Sequence, residues 1–175
     1  MSAKPSSGGP EASPGFHLWH ASLAWKSAVA KALEPHGLTP TQFFLLGAVG
    51  WHLKTRGEPP TQALAARAAG LDPMTTSQVL RALEKARLIE RRDDPSDARS
   101  WRLELPPEGR ARLVAAAAAV READLAVFGP PGSEREALVA AVRAVRARVE
   151  APTGEDQADH APHRATGAPR RTRAT

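Results

Sequence analysis

The sequence contains no cysteine, which excludes disulfides, thiolate nucleophiles and thiol-based redox sensing in this chain. It also has no run of about 18 apolar residues, so no membrane-spanning helix is expected. The N-terminal stretch MSAKPSSGGPEASPG lacks the apolar segment of a secretory signal. These absences predict a cytoplasmic protein without a membrane partner.

Motifs of catalysis and of metal binding are missing as well. We find no Gly-rich phosphate loop, no nucleophile elbow and no metal-binding helix motif, so we expect neither an enzyme nor a cofactor. Two histidine pairs have the spacing of one helical turn, His17 with His20 and His160 with His163. Without cysteine or a neighbouring cluster of carboxylates, they predict no metal site.

The chain is basic, but the charge by itself is weak evidence for a nucleic-acid partner. The formal net charge is +5 and the pI is near 10.4. Arg outnumbers Lys by nineteen to five, and part of the excess lies in the tail after residue 150. A nucleic-acid function therefore has to be inferred from the placement of particular residues.

Composition separates two polar ends from one region that can fold. Residues 1–14 are mostly Ser, Gly, Pro and Ala, and residues 151–175 are polar, basic and Pro-rich, so we expect two disordered tails. The region 15–150 is long enough to form one domain with a hydrophobic core.

Helical periodicity frames this region at both ends. A first helix is predicted at about 16–34, and its two apolar stripes imply burial on two sides, against its own domain and against a second subunit. A capping box of Thr39 and Gln42, with Pro40 between them, marks the next helix start. Two long helices are predicted within 108–150, and the last has apolar residues at heptad-like spacing, Leu138, Val142, Val145 and Val149.

The middle of the region has the pattern of a helix-turn-helix followed by a β-hairpin. Thr61 caps a short helix in which Leu64 and Ala68 are expected to face inward, and Gly70 then allows a tight reversal. Asp72 caps a second helix. Strand-like segments at 88–92 and 100–105 flank a turn rich in Asp and Pro. The predicted fold is mainly α, with a winged helix-turn-helix lobe at about 38–106, a two-stranded wing, and dimerisation helices at 16–34 and 108–150.

The second short helix, from Pro73, has a polar face that suits a major groove. A helical wheel places four residues on the inner side: Val79, Ala82, Leu83 and Ala86. The predicted DNA-contacting set comprises the outer side together with one marginal residue: Met74, Thr75, Ser77, Gln78, Arg81 and Lys85. Arg can bind the guanine edge, Gln the adenine edge, and Ser a base or a phosphate. The alternative is a solvated helix face without a function.

The hairpin extends this prediction to the minor groove. Arg99 is placed to enter a narrow minor groove, whose negative potential attracts a guanidinium. Asp97 is expected to hydrogen-bond the turn backbone and to hold Arg99, while Trp101 packs the wing against the body. Three further Arg residues on the hairpin arms are expected to contact phosphates: Arg91, Arg92 and Arg102. The alternative is a charged surface turn.

The span from Leu38 to Gly109 resembles the MarR family of winged-helix regulators. The resemblance rests on LTPTQFFLL, TQALA, MTTSQVLRALEKARLIERR, the wing motif DPSDARS and the L-x-x-E-G that opens the next helix. It implies an obligate homodimer that binds a palindromic operator in double-stranded DNA, with repression usually relieved by a small ligand. Three positions depart from the family pattern: Pro106 replaces the usual Thr, Gln78 stands where Arg is common, and Trp101 is unusually bulky.

The resemblance also implies a site for a small-molecule effector, such as a phenolic or other aromatic acid, between the dimer helices and the DNA-binding lobe. Aromatic rings with a neighbouring His would suit a planar anion. The side chains predicted to line this site are Trp19, His20, Trp25, Phe43 and Trp51. The alternative for each ring is an ordinary place in the core. A second functional interpretation also stays open, a winged helix used only for protein contact or dimerisation.

Overall fold

A computed structural model describes residues 9–150 of the chain, without the side chains of residues 98 and 99. The chain divides into two units, Met1–Pro130 and Pro131–Thr175. Part of the predicted N-terminal tail is regular, because Pro10–Ala12 form a 3-10 helix and the first α-helix begins at Pro14. The predicted C-terminal tail, with His160 and His163, lies outside the described residues.

The first unit has the element order of a winged helix. Its described elements are α1 (Pro14–Leu33), α2 (Pro40–Arg56), α3 (Gln62–Ala69), α4 (Pro73–Lys85), β1 (Glu90–Asp94), β2 (Asp97–Glu104) and α5 (Pro107–Phe128). The two strands pair antiparallel, with Glu90 opposite Glu104 and an irregularity between Asp93 and Asp94. The predicted fold class, mainly α with a two-stranded wing, is confirmed.

Local hydrogen bonds explain where the helices begin. Thr39 Oγ1 accepts a hydrogen bond from the Gln42 N–H at 3.2 Å, and Gln42 Oε1 accepts one from the Thr39 N–H at 2.8 Å, so the predicted capping box is confirmed. Thr61 and Asp72 accept hydrogen bonds from backbone N–H groups at the starts of α3 and α4, as predicted. Gly70 ends α3 in the left-handed conformation, with φ of 68°.

One hydrophobic core lies among the elements of the first unit. Its fully buried side chains come from the helices α1 to α5, from β2 and from the connection before β1, and include Val29, Leu33, Leu45, Leu46, Val49, Leu80, Leu83, Ile89 and Leu103. The prediction for α3 was wrong, since Leu64 and Ala68 are exposed and the neighbouring Ala65 and Ala66 are buried. The reason is that α3 packs against α2 and β2 together, which turns the face centred on Ala65 inward.

The outer helix α1 uses only part of its apolar surface for this core. Val29 and Leu33 are buried and Trp25 is half-buried. The N-terminal half of the helix leaves large apolar side chains exposed on the single chain: Phe16, Leu18, Trp19 and Leu23. A second apolar face is therefore present on α1, as the sequence predicted.

Helix α5 closes over the lobe through a close backbone approach. Gly109 is buried, and a Cβ at this position would overlap the backbone oxygen of Leu88. Pro106 precedes the helix and makes no side-chain capping hydrogen bond, in keeping with the missing Thr.

The described part of the second unit is one helix, α6 (Ser133–Glu150). Arg146 Nε and Glu150 Oε1 form an ion pair of 2.6 Å along it. The heptad-spaced residues that the sequence singled out are all exposed, namely Leu138, Val142, Val145 and Val149. Throughout residues 9–150, no helix combines the length and the apolar character needed to cross a membrane.

Candidate nucleic-acid interface

Helix α4 buries one face and exposes the other. Thr76, Leu80 and Leu83 are fully buried, and the Thr76 hydroxyl is satisfied because Oγ1 donates to the Asp72 carbonyl oxygen at 2.7 Å. Met74 is 74% exposed, although it is a large apolar side chain. The exposed side holds four of the predicted DNA-contacting residues: Met74, Gln78, Arg81 and Lys85.

The inner face predicted for α4 was partly wrong. Leu83 is buried and Val79 half-buried, but Ala82 and Ala86 are exposed, and Leu80 is the centre of the inner face. The helix packs against α2 and α3 at once, so its inner face is set by both neighbours. The wheel identified the outer side correctly because no large apolar residue other than Met74 lies there.

Two predicted contact residues on α4 have hydroxyls already engaged within the helix. Thr75 Oγ1 donates to Asp72 Oδ2 at 2.5 Å, and Ser77 Oγ donates to the Pro73 carbonyl oxygen at 3.0 Å. Both residues are half-buried. The hydrogen bonds from Thr75 lower the pKa of Asp72 below its ordinary value, so this cap is a carboxylate at neutral pH.

The turn of the wing is closed by Asp94, a residue that the sequence analysis did not single out. Its Oδ1 accepts hydrogen bonds from the Ser96 N–H at 2.9 Å and from Ser96 Oγ at 2.6 Å. Its Oδ2 accepts one from Arg102 Nε at 2.7 Å. The hydrogen bonds from Ser96, and then Arg102, hold the pKa of Asp94 below its usual value. The signal that could have identified it is the Asp-Pro-Ser order, typical of an Asp that hydrogen-bonds the backbone two residues on.

The sequence assigned the turn to Asp97, which lies opposite Asp94 in the register and begins β2. Asp94 accepts two hydrogen bonds from Ser96 in this turn, and the turn contact predicted for Asp97 stays a prediction. The side chain of Arg99 lies outside the described part of the chain. Its predicted pairing with Asp97 and its entry into a minor groove therefore stay predictions.

The three other wing arginines differ in how they are held. Arg91 Nη2 lies 2.8 Å from Glu84 Oε2 of α4, and its side chain is largely buried. Arg92 pairs with Glu104 at 2.9 Å across the strands, yet its side chain is 62% exposed. Arg102 is turned inward, onto Asp94. Their phosphate contacts stay predictions, for which Arg92 is the most accessible of the three.

Trp101 lies between the wing and the helices, as predicted, but covers only part of the gap. It lines a groove of about 510 Å³ together with residues of α3 and of the start of α4, among them Ala66, Arg67 and Pro73. Trp101 is 43% exposed. The wing therefore rests on the body through Trp101 only partly, and other contacts must hold it.

The five residues predicted to bind an effector fall in different environments. Phe43 and Trp25 both pack on Phe44, with ring centroids 5.3 and 5.8 Å from it, which places them in the core. The other three are exposed: Trp19, His20 and Trp51. The effector site stays a prediction. Within the described residues, no three His, Asp or Glu side chains are grouped closely enough to hold a metal ion.

By sequence, this chain is similar to regulators of transcription. Residues 36–100 match the model of the MarR family. The HTH-type transcriptional regulator YdcH of Bacillus subtilis is 39% identical over 120 residues, 69% of this chain and 81% of that protein. An HTH-type transcriptional repressor of Mycobacterium tuberculosis is 32% identical over 114 residues, 65% of this chain and 78% of that protein.

The solved structures to which this fold is similar are also transcriptional regulators. CouR of Rhodococcus jostii RHA1 bound to p-coumaroyl-CoA has 29% identity and a TM-score of 0.70, over 84% of this chain and 98% of that one. CouR bound to a 23-mer DNA duplex has 26% identity and a TM-score of 0.70, over 82% and 99%. With the wing, the exposed face of α4 and these relatives together, the chain belongs to the MarR family of winged-helix, DNA-binding transcriptional regulators.

Proposed function

We propose that this protein is a homodimeric repressor that binds a palindromic operator in double-stranded DNA and is released from it by a small ligand. The observation that carries the proposal is the arrangement of side chains on α4. Its inner face is buried, and the Thr76 hydroxyl on that face is hydrogen-bonded. Its outer face, beside a two-stranded hairpin, exposes Met74, Gln78, Arg81 and Lys85. A helix of this kind suits a major groove, and a hairpin beside it reaches the adjacent groove.

The exposed side chains suggest separate roles on the duplex. Arg81 suits the O6 and N7 acceptors of guanine, Gln78 suits the N6 and N7 of adenine, and Met74 suits a thymine methyl group. Lys85, in the last turn of α4, and Arg92, exposed on the wing, supply charge for phosphates. Arg99 is proposed as the minor-groove contact. The structure of CouR on a 23-mer duplex supports DNA binding by this fold.

A homodimer is proposed because one winged helix contacts only a few base pairs. Two copies related by a twofold axis read half-sites about one helical turn apart, and the operator is then palindromic. Exposed apolar side chains on α1, such as Trp19 and Leu23, support a second subunit as their cover, since an apolar patch of this kind marks an interaction site. The exposed heptad-spaced residues of α6 support the same proposal.

The proposed effector is an aromatic acid or its thioester. CouR, with which this chain shares 29% identity, is bound to p-coumaroyl-CoA in its crystal structure. In this chain, Trp19 and Trp51 offer exposed rings for stacking, and His20 offers a polar contact.

The proposal is tested by selecting bound fragments from a random pool of duplex DNA and then measuring affinity for the selected site. We expect a palindrome with half-sites about ten base pairs apart. Arg81→Ala and Arg99→Ala should each weaken binding by roughly tenfold or more, while the dimer persists. Arg121→Ala is the control, because this exposed Arg lies on α5, away from α4 and the wing. A wild-type protein that enriches no duplex even at low salt would overturn the proposal.

A further inference from the structure

We infer that Asp94 and Arg102 are positioning residues for DNA binding, which fix the wing to the segment before α3 and so set the direction in which the wing meets the duplex. The inference rests on the proposed function, because it concerns how the wing is presented to DNA. It assigns a role to Asp94, which the sequence analysis did not single out, and replaces the phosphate contact that the sequence predicted for Arg102.

The two residues form a continuous path of hydrogen bonds from the turn to the body, which we call the wing link. Ser96 in the turn donates to one oxygen of Asp94, and Arg102 Nε donates to the other at 2.7 Å. Arg102 Nη1 then donates to the Pro59 carbonyl oxygen at 3.0 Å. The path ends in the connection between α2 and α3.

Backbone pairing reinforces the wing link at its inner end. The Leu103 N–H donates to the Pro60 carbonyl oxygen at 2.9 Å, and Thr61 forms an isolated antiparallel bridge with Arg102. The segment 59–61 thus lies along β2 as a short extra edge. Because Thr61 is also the N-cap of α3, the wing and the helix-turn-helix share one anchoring point.

The wing needs such an anchor for a physical reason. A two-stranded hairpin is marginally stable by itself. Apart from Leu103 and Asp94, most of the described side chains in this hairpin are exposed. Asp94 is 5% exposed and lies at the end of β1 farthest from the core. Ser96 and Arg102 cover this carboxylate and hydrogen-bond both of its oxygens, so opening the link would leave it without those partners, and the closed link is favoured.

Asp94→Asn is expected to change DNA affinity in opposite directions, depending on whether Arg102 contacts a phosphate or positions the wing. If Arg102 contacted a phosphate, Asp94→Asn would free its guanidinium and remove a repelling carboxylate, so DNA affinity would stay the same or rise. If the wing link positions the wing, Asp94→Asn loosens it, and affinity falls although the protein has become more positive. Asp93→Asn is the matched control, because Asp93 is the exposed neighbour on the same strand and the charge change is identical.

The experiment measures affinity for the selected operator by fluorescence anisotropy at several salt concentrations, beside the unfolding midpoint of each variant. We expect Asp94→Asn to weaken binding about fivefold or more and Asp93→Asn to leave it unchanged or slightly tighter. Arg102→Lys, which keeps the charge but not both hydrogen bonds, should behave as Asp94→Asn does. It also serves if Asp94→Asn fails to fold.

A double-mutant cycle separates positioning from general destabilisation. The loss of affinity caused by Arg99→Ala should shrink markedly in the Asp94→Asn background, because a loosened wing no longer presents that residue. Equal losses in both backgrounds, or an Asp94→Asn variant that binds as tightly as wild type, would overturn the inference.

An arm without DNA keeps the inference apart from the proposed function. Amide hydrogen exchange at Leu103, which donates to Pro60, should be faster in Asp94→Asn than in Asp93→Asn at equal global stability. A wild-type protein that binds no duplex would overturn the proposed function but not the wing link. Equal exchange at Leu103 in Asp94→Asn and Asp93→Asn would overturn the wing link, whether or not the protein binds DNA.

Discussion

Trp25 Nε1 donates a hydrogen bond to Asp124 Oδ1 at 2.7 Å, which joins α1 to α5 across 99 positions of the chain. The same indole packs on Phe44 and Phe128, with ring centroids 5.8 and 6.4 Å away. A half-buried Trp is satisfied in this way at both its apolar face and its N–H. Trp25 therefore fastens an outer helix to the core whether or not it contacts a ligand.

Trp25→Phe is expected to lower the free energy of unfolding by about 1–3 kcal/mol. The change removes the donor and leaves part-buried Asp124 without this hydrogen bond to a charged group. Urea unfolding measures the effect. Trp51→Phe is the control, since Trp51 is 66% exposed and should change stability by less than about 0.5 kcal/mol. Equal effects of the two substitutions would contradict the role of the hydrogen bond.

Gly109→Ala is expected to destabilise the protein by about 1–3 kcal/mol or more, because the new methyl group would overlap the backbone of Leu88. Gly47→Ala is the matched control within α2, where a Cβ would meet nothing within 4 Å. That substitution should stabilise the protein by up to about 1 kcal/mol, since Ala is the better helix former. Thermal unfolding of both variants checks the opposite signs.

Acid is expected to destabilise the wing through Asp94. The pKa of Asp94 is lowered from an ordinary value of 3.8 by the hydrogen bonds from Ser96 and by Arg102. Because the folded pKa lies below the unfolded one, the stabilisation is complete above 3.8 and is lost as the pH falls through the folded value. Urea unfolding over a falling pH series should give a steeper loss for wild type than for Asp94→Asn. Parallel curves would show that Asp94 contributes nothing to the acid response.

Trp19→Glu is expected to convert the dimer to a monomer and to weaken operator binding, since it buries a carboxylate in the proposed subunit interface. Trp19 is 62% exposed on the single chain, so the substitution leaves the core intact. Sedimentation velocity measures the oligomeric state. Trp51→Glu makes the same change at another exposed Trp, on α2, and should leave the dimer in place. A Trp19→Glu protein that sediments as wild type would place the interface elsewhere.

Local sequence determined where the elements of this protein begin and which surface of α4 is polar. The cap at Thr39 with Gln42 acts within four residues, and Asp72 and Gly70 likewise specify a helix start and a helix end through nearby backbone groups. Such features depend on short-range hydrogen bonds and backbone preferences, which are present in the sequence whatever the rest of the chain does.

Only the tertiary structure decided which helix faces are buried and which partners the charged side chains of the wing bind. The buried face of α3 is centred on Ala65 and that of α4 on Leu80, which differs from the prediction because each helix packs on two neighbours at once. Arg102 binds Pro59, 43 positions away, and Asp94, eight positions away across the turn, rather than facing outward. Periodicity describes one helix or strand at a time, whereas these outcomes depend on which distant groups the fold brings into hydrogen-bonding distance.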